Sequence, residues 1–412
     1  MTNVKRATIV TAAVFLLLAG SVVNGQQLFY MAALLLALPA VSYAVGLFAL
    51  RDIEFERETP ESAWEGETVT FRLTVRSRSR LTRLYLQATD SLPEWLDHAR
   101  GEPVLFNAPA MSEVTVEYPV YLGKRGAYVL DSLEITASDP LGMFSVVRRV
   151  PSRAEIVVYP FPEPVPEFVY NGADRFGVEE VLVTRARGSG IDPDGVREYQ
   201  PGDPLNRVHW KSTARTGALN VIEFMEPHSL SVCLVLDLEQ GTDVGRGKDT
   251  TLEYLVRAAA SVAQEAVRMG ATSRLVAGSY TTALAPGRGT EQLFRILGGL
   301  ARARATDPRP LHDVLLELLG SLRPLGSLVV FTAKADPRIA ETLSHVAARH
   351  ASIGVVYADP RSFAPESRLT TEDERRRFLD ALAAVRAQIV VVQRRDTGSA
   401  VASALRDARV HA

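Results

Sequence analysis

The hydrophobic and polar positions of the chain follow three successive patterns, and the first is a pair of long apolar runs. Residues 7–50 contain no Asp, Glu, Lys or Arg, and the runs Ala7–Val23 and Leu28–Leu50 are separated by the polar residues 24–27. A helix that spans a bilayer needs roughly 20 apolar residues. The runs therefore predict a transmembrane helical hairpin over residues 1–51. A signal peptide is the alternative for the first run, but the second run directly behind it and the lack of a clear small-x-small cleavage site favour two retained spans.

The charges beside these runs predict the orientation of the hairpin. Lys5 and Arg6 precede the first run, Arg51 and Arg57 follow the second, and the turn between the runs is uncharged. Positive residues stay on the cytoplasmic side of a membrane. We therefore expect two spans in the cell (inner) membrane with both termini cytoplasmic, which agrees with the single cysteine of the chain.

The second pattern, over residues 52–160, is an alternation with a period of two. Val69, Phe71, Leu73 and Val75 alternate with polar residues, and the alternation recurs from Val114 to Leu122. Short alternating strands separated by Gly and Pro turns predict an antiparallel, immunoglobulin-like β-sandwich. Residues 161–228 begin with a proline-rich stretch, which predicts an extended linker.

The third pattern, over residues 229–412, alternates continuous apolar strands with amphipathic helices. This order predicts a parallel sheet covered by helices on both faces, a Rossmann-type α/β domain. The predicted strands are Ser231–Asp237, Arg274–Ala277, Leu328–Thr332, Ile353–Tyr357 and Ile389–Val392, and the predicted helices are Thr250–Met269, Glu291–Ala303, Leu311–Leu322, Arg338–Ala348, Thr371–Val385 and Ala400–Ala408.

Between the linker and the α/β domain, residues 188–226 concentrate charged and aromatic side chains. The run Pro201–Pro204 predicts a turn, and Arg207–Trp210 alternates like a half-buried strand. The candidate site residues of this signature region are Arg197, Tyr199, Gly202, Asp203, Arg207, His209, Trp210, Lys211, Arg215 and Glu223.

The spacing of these residues resembles the domain of unknown function 58 family. Arg-x-Tyr-x-Pro-Gly-Asp begins at Arg197, and Arg-x-His-Trp-Lys-x-x-Ala-Arg begins at Arg207. The pieces Arg125–Tyr128 and Asp139–Phe144 also resemble the family, although plain turn chemistry explains both. The resemblance implies genomic company with a MoxR-type AAA+ ATPase and a transglutaminase-like membrane protein. It thereby implies an adaptor role.

The C-terminal order of a strand, an Asp at its carboxyl end and a long helix resembles a von Willebrand factor A-like domain. That resemblance implies a divalent cation held by an Asp-x-Ser-x-Ser loop with a Thr and an Asp from other loops. Here Asp237 is present but both serines are replaced, and Glu239, Thr332 and Asp336 are the other candidate ligands. Either the loop is degenerate and Asp237 caps backbone amides, or a cation such as magnesium binds there. No cofactor is assigned.

Composition narrows the function further. The formal net charge is -2, from 46 basic and 48 acidic residues, which argues against a general nucleic-acid binder because such a protein would need a basic stripe. Cys233 lies in an apolar run typical of a buried strand, where a cysteine is a core residue. The histidines lack zinc-ligand spacing, and neither a Gly-x-Ser-x-Gly elbow nor a Walker-type loop occurs. We therefore expect no enzymatic activity.

Two interpretations of the signature region remain open. In the first, its charges pair with one another while Tyr199 and Trp210 pack between domains as a clasp. In the second, it forms a recognition surface for a partner protein. The predicted function is a membrane-anchored, non-enzymatic scaffold or adaptor. The alternatives are a cation-dependent binding module at Asp237 and an uncharacterised membrane-surface enzyme that uses His209 or Lys211.

Overall fold

The computed structural model of the chain divides into two units, Met1–Phe161 and Pro162–Ala412. The predicted helix Ala400–Ala408 lies outside the described residues. The structure describes residues 2–97, 103–139, 144–162, 193–200, 208–224, 231–278, 283–320, 326–347 and 352–394.

The first unit begins with two apolar helices, α1 (Thr2–Val23) and α2 (Gln26–Ala49). Gly20 of α1 faces the start of α2, where an added Cβ would lie 3.2 Å from the Leu28 Cβ. Among the described residues, one segment, Gln26–Gly46, is long and apolar enough to cross a membrane, whereas the apolar part of α1 is shorter. The helices of the predicted hairpin are present, and α2 is the candidate membrane helix.

Two curled sheets follow the helices. One has the strand order β1-β3-β7-β5 and the other β2-β9-β8-β4-β6. Neighbouring strands are antiparallel except for β2 and β9, which are parallel. The strands are β1 (Ile53–Glu58), β2 (Ser62–Trp64), β3 (Thr68–Ser77), β4 (Arg83–Asp90), β5 (Leu96–Asp97), β6 (Val104–Ala108), β7 (Glu113–Leu122), β8 (Gly126–Ser138) and β9 (Ser145–Tyr159).

The inward positions of both sheets form one hydrophobic core. Phe71, Leu73 and Val75 of β3 are fully buried, as the alternation predicted, and they share a cluster with Ile135 of β8 and Ile156 of β9. Burial of large aliphatic and aromatic side chains contributes about 1.5–3 kcal/mol each. The alternating pattern therefore specifies which face of each strand lies inside.

A buried ion pair connects the two sheets. Arg57 of β1 donates to the Asp90 carboxylate of β4 at 2.5 Å, and both side chains are almost completely buried. Tyr118 of β7 donates its hydroxyl to the other Asp90 oxygen at 2.8 Å. Arg57 also donates to the carbonyls of Leu130 and Ser152. Burial, and then the Asp90 carboxylate, raise the pKa of Tyr118, so that this phenol stays a donor.

The C-terminal half of α2 packs against the β8–β9 hairpin. The Ser42 hydroxyl donates to Asp139, which also accepts the Phe144 N–H at 2.6 Å. The Tyr43 and Phe144 rings contact edge to face at 5.4 Å. Asp139 therefore does more than start a turn, because it also joins the apolar helix to the sheet.

The second unit contains a five-stranded parallel sheet with the order β15-β12-β16-β17-β18. Its strands are buried on both faces, as continuous apolar runs predict. The elements are β12 (Ser231–Leu236), β13 (Gly245–Arg246), β14 (Asp249–Thr250), α4 (Thr251–Arg268), β15 (Thr272–Ala277), α5 (Gly289–Arg302), α6 (Leu311–Leu319), β16 (Ser327–Thr332), α7 (Pro337–Ala347), β17 (Ser352–Ala358), α8 (Pro360–Phe363), α9 (Glu372–Ala384) and β18 (Gln388–Val392). A two-stranded sheet, β10 (Pro193–Glu198) with β11 (Asn220–Phe224), and the helix α3 (Trp210–Thr216) precede them.

Hydrophobic periodicity located the larger α/β elements within a few residues of their observed ends. One prediction for the signature region is wrong as far as the described residues go: Val208–Trp210 is not a strand. Val208 makes a single bridge to Val221, and α3 begins at Trp210. The helix starts there because His209 caps it, its imidazole Nδ1 accepting the Ser212 N–H at 3.3 Å. A side-chain acceptor that caps the unpaired N–H groups of the first helical turn stabilises the helix. Here this cap outweighs the strand preference of a short hydrophobic alternation.

Candidate functional site

The strand order places the candidate site at the carboxyl end of β12. The chain passes from β12 to β15 on one side and then to β16 on the other, an order known from flavodoxin-like sheets. In such sheets the crevice at the reversal, beyond the carboxyl ends of the two diverging strands, is where ligands bind. The residues after Leu236 and Thr332 therefore line the crevice.

Asp237 and Thr332 meet across this crevice. The buried Thr332 hydroxyl donates to Asp237 Oδ2 at 2.7 Å, and the Glu239 N–H donates to Asp237 Oδ1 at 3.0 Å. Burial raises the pKa of Asp237 to about 6, although both hydrogen bonds oppose the increase. Asp237 does cap a backbone amide, as one of the two sequence interpretations expected.

A lysine that the sequence interpretation did not include lies beside Asp237. Lys334 Nζ pairs with Glu239 Oε1 at 2.5 Å, and both side chains are more than two-thirds buried. The loop after β16 therefore supplies an ammonium group where the resemblance placed a metal ion. Glu239, proposed as a substitute ligand, is paired by the chain itself.

Asp336, the third candidate ligand, is also held by a basic side chain, Arg338. Arg338 contacts both of its oxygens, at 3.0 Å and 2.7 Å, and His312 Nδ1 lies 3.9 Å from Oδ2. Burial opposes ionisation, but the Arg338 hydrogen bonds hold the pKa of Asp336 below its usual range. In the part of the chain that the structure describes, no group of three or more His, Cys, Asp or Glu side chains could hold a metal ion.

The loop before α6 completes the edge of the crevice. The Asp307 N–H donates to the Leu238 carbonyl at 2.9 Å, and the Gln240 N–H donates to the Asp307 carbonyl at 2.8 Å. A Cβ at Gly278, which has φ +70°, would lie 2.9 Å from Asp307 Oδ2. Sequence reasoning missed Asp307, His312 and Lys334. Lys334 lies two residues after the end of the predicted strand Leu328–Thr332. This position was the available signal that Lys334 belongs to the crevice.

The signature region forms a separate small module around β10, α3 and β11. The Tyr199 N–H donates to the Leu219 carbonyl at 2.7 Å, and the His209 N–H donates to the Asn220 carbonyl at 2.8 Å. Gly217 ends α3 in the left-handed conformation, with φ 73°. The module therefore brings Tyr199, His209 and Trp210 close together through main-chain bonds.

The predicted site residues of this module differ in exposure. Trp210 is 70% exposed, and Lys211 and Arg215 are exposed on the same short helix. The Arg197 and Glu223 backbones pair with Val221 and Gly195 in the sheet. Gly202, Asp203 and Arg207 lie outside the described residues.

His209 contributes to the local structure. Its Nδ1 lies 2.8 Å from the Ser212 hydroxyl and accepts the Ser212 N–H, so this nitrogen is occupied by the helix cap. Cys233 is buried, and burial raises the pKa of its thiol to about 12. Neither side chain has the environment of an activated nucleophile.

The comparisons with known proteins agree with the resemblance in the signature. Residues 195–376 match the family described as "Protein of unknown function DUF58". The match covers the signature module from Gly195 and the sheet through most of α9.

Relatives with unassigned functions occur in several bacteria. The chain is 26% identical to the uncharacterized protein YeaD of Bacillus subtilis over 304 residues, which cover 71% of this chain and 74% of that protein. It is 28% identical over 183 residues to the uncharacterized proteins Mb1516 of Mycobacterium bovis and Rv1480 of Mycobacterium tuberculosis. These matches cover 42% of this chain and 57% of each mycobacterial protein.

Solved structures resemble only parts of the chain. A human complex of zinc 2-glycoprotein with prolactin inducible protein matches 26% of this chain and 94% of that chain, with 15% identity and a TM-score of 0.21. The VesB protease of Vibrio cholerae matches 28% of this chain and 34% of that chain, with 13% identity and a TM-score of 0.18. Scores this low carry no conclusion about fold or function.

Proposed function

We propose that this chain is a membrane-anchored, non-enzymatic adaptor that docks a partner protein through its signature module and α/β unit. The exposed indole of Trp210 is the observation that carries the proposal. Tryptophan and arginine dominate the binding energy of protein interfaces. An indole held at the start of a capped helix is presented to a partner in a fixed position.

The polar surroundings of Trp210 support recognition rather than a purely structural role. Lys211 and Arg215 are one helical turn apart on α3, and both are exposed. By contrast, Ser212 and Thr213 are half-buried and serve the local fold, since the Thr213 hydroxyl accepts the Asn220 N–H at 3.0 Å. An aromatic anchor beside two cations suits an acidic partner surface.

The finer assignments belong to the same proposal. The α/β unit is von Willebrand factor A-like, and the antiparallel unit is an immunoglobulin-like sandwich. Two spans hold the chain in the inner membrane with both termini in the cytoplasm. The partner is a MoxR-type AAA+ ATPase, working with a transglutaminase-like membrane protein. This company is what the family resemblance implies, and residues 195–376 match that family.

The crevice around Asp237 serves the adaptor as a charge-paired structural element. The Lys334–Glu239 pair connects the loops after β12 and β16. The Arg338–Asp336 pair lies within the segment that follows β16. These pairs support an interpretation without a metal over the cation-dependent alternative. The capped state of His209 likewise supports a non-enzymatic role.

The test is affinity purification of the detergent-solubilised chain with ATP present, comparing wild type with Trp210→Ala. The matched control is Phe294→Ala, which removes another exposed aromatic side chain from a helix outside the signature module. We expect Trp210→Ala to lose an AAA+ ATPase that wild type and Phe294→Ala retain, with thermal melts unchanged in all three.

Two results would contradict the proposal. Wild type that captures no AAA+ ATPase under these conditions argues against the named partner. A Trp210→Ala chain that melts several degrees lower shows that the indole stabilises the fold, and the clasp interpretation then replaces recognition.

A further inference from the structure

One end of the antiparallel unit lies where the chain leaves α2. The Arg78 N–H donates to the carbonyl of Asp52, three residues after α2 ends, at 2.9 Å. The Met111 N–H donates to the Ser79 carbonyl at 2.9 Å. The loops 78–82 and 109–112 therefore lie together at the end from which α2 projects.

Asp139 after β8 and Phe144 before β9 lie at the same end, and their contacts show how far along α2 this end reaches. Asp139 bonds Ser42, and Phe144 contacts Tyr43. Since Leu86 of β4 pairs with Ala137, the start of β4 reaches the same height. Residues 81–85 are thus level with the middle of the C-terminal half of α2.

That height matches the boundary of a bilayer, on the membrane anchoring that the proposed function assumes. The part of α2 from Gln26 to Ser42 is about 25 Å long at 1.5 Å per residue, against a hydrocarbon core of about 30 Å. The turn between α1 and α2 is as many residues from Lys5 and Arg6 on one side as it is from Tyr43 and Ala44 on the other. These residues are therefore expected at a similar depth in the membrane. Loops at the height of Ser42 therefore lie about 5 Å inside the edge of that core, near the boundary between acyl chains and headgroups.

Large apolar side chains are exposed at this end. Leu81 is 67% exposed, Leu84 46%, Tyr85 54% and Met111 69%. A regular strand would turn one of Leu84 and Tyr85 inward. The register of β4 with β6 shifts between Arg83 and Leu86, and Tyr85 has φ 56°, so both side chains point outward. Such bulges redirect side chains, and a positive φ is rare for a bulky residue.

The same stretch is strongly basic. Residues 76–85 read Arg-Ser-Arg-Ser-Arg-Leu-Thr-Arg-Leu-Tyr, with four arginines and no acidic residue. Arg76 pairs with Glu56 at 3.1 Å and with Glu113 at 3.0 Å, and Arg78 pairs with Glu54 at 2.9 Å, whereas Arg80 is exposed. The buried Ser79 accepts the Leu81 N–H at 3.2 Å, which orders the turn that presents Leu81. We name the exposed residues Arg80, Leu81, Leu84, Tyr85 and Met111 the loop-end surface.

We propose that the loop-end surface rests on the headgroup region of the bilayer and binds anionic lipids. The leucines, Tyr85 and Met111 enter the boundary between headgroups and acyl chains, while arginine guanidinium groups bind lipid phosphates. Aromatic and basic side chains are enriched at this depth of membrane proteins. The loop-end surface adjoins the apolar helix α2 and carries positive charge. Both features favour a lipid over a second protein as its occupant.

The proposal can be tested on the full chain in vesicles of phosphatidylcholine and phosphatidylglycerol. Cys233 is buried with a pKa raised to about 12, so the wild-type chain serves as the unlabelled control. A polarity-sensitive thiol dye is attached to Leu81→Cys, Leu34→Cys or Val129→Cys. Leu34 lies mid-way along α2, and Val129 is an exposed residue towards the opposite end of β8.

Lipids with spin-labelled acyl chains then report contact with the bilayer. We expect quenching at Leu81 and Leu34 and none at Val129. Adding Arg80→Glu and Arg83→Glu removes most of the quenching at Leu81, whereas Arg153→Glu, an exposed residue of β9 far from this end, leaves it unchanged. Vesicles of phosphatidylcholine alone give weaker quenching at Leu81.

The probes separate the possible failures. If the Leu34 probe is quenched but the Leu81 probe, like the Val129 probe, is not, the loop-end proposal is overturned. The membrane anchor is then still supported. No quenching at Leu34 overturns the membrane anchor, and with it this surface. Equal quenching at Leu81 in both vesicle types overturns the choice of anionic lipid. A Leu81 probe shielded from aqueous iodide but unquenched by lipid assigns the surface to a protein.

Discussion

At the scale of single residues, the buried pair of Arg57 and Asp90 is where one substitution has the largest effect on stability. Asp90→Ala leaves the Arg57 guanidinium buried without its carboxylate, because the Leu130 and Ser152 carbonyls carry no charge. Breaking a buried pair in this way costs about 3–5 kcal/mol. We expect urea unfolding of the detergent-solubilised chain to show a loss of this size.

An exposed pair in the same unit provides the control. Arg72 and Glu117 lie 2.7 Å apart across β3 and β7, with both side chains more than half exposed. Glu117→Ala should leave the unfolding midpoint almost unchanged, because water replaces the lost partner. Equal effects of the two substitutions would show that Asp90 is solvated in solution.

Asp237 gives a prediction about pH. Its pKa is about 6 in the folded chain, above the ordinary value of 3.8, so the folded state binds more protons than the unfolded state between these values. Stability from this group is therefore present at low pH and falls as pH rises through that window, by about 3 kcal/mol in all. In Asp237→Asn this component is absent.

Thermal melts of both chains at pH 5 and pH 7.5 measure the difference. The melting temperature of wild type should exceed that of Asp237→Asn by more at pH 5 than at pH 7.5. The reason is that the substituted amide has no proton to release. The other carboxylates are common to both chains and cancel in the comparison. A difference in melting temperature that stays constant with pH would mean that Asp237 titrates normally.

At the scale of elements, hydrophobic periodicity was sufficient to predict a helix or strand where the apolar positions in the sequence are also the buried positions in the structure. β12, β16 and β17 are continuous apolar runs, and their alternation with helices predicted the parallel sheet. Two-residue β5 and three-residue β2 escaped prediction because so short a segment has no measurable period. Their pairing is imposed by neighbouring strands.

Two features of the site could not be predicted from the sequence: the helix that His209 caps and the ion pair between Lys334 and Glu239. The His209 cap replaced a predicted strand by a helix, a choice that depends on one side-chain bond to Ser212. The Lys334–Glu239 pair joins residues 95 positions apart in the chain. No spacing rule could place that ammonium beside Asp237, whereas the strand order does so directly.

At the scale of the whole molecule, the proposed two-span topology assigns each proposed contact to one side of the membrane. On this topology a partner at Trp210 shares a compartment with the loop-end surface and with the N-terminus. Three variants with one added cysteine distinguish the alternatives: Thr2→Cys, Gln27→Cys near the turn of the hairpin, and Val129→Cys in the antiparallel unit. The buried Cys233 stays unreactive in all of them.

A membrane-impermeant maleimide added to intact cells should label only Gln27→Cys, and added to inverted vesicles it should label Thr2→Cys and Val129→Cys. This outcome is expected on the proposed topology, in which Lys5, Arg6 and Arg51 stay on the cytoplasmic side while the uncharged turn crosses. Labelling of Thr2→Cys from outside would mean that α1 does not cross, leaving α2 as a single span. The loop-end surface would then still meet the cytoplasmic leaflet, since its height depends on α2 alone, but the pairing of Lys5 and Arg6 with that boundary would be lost.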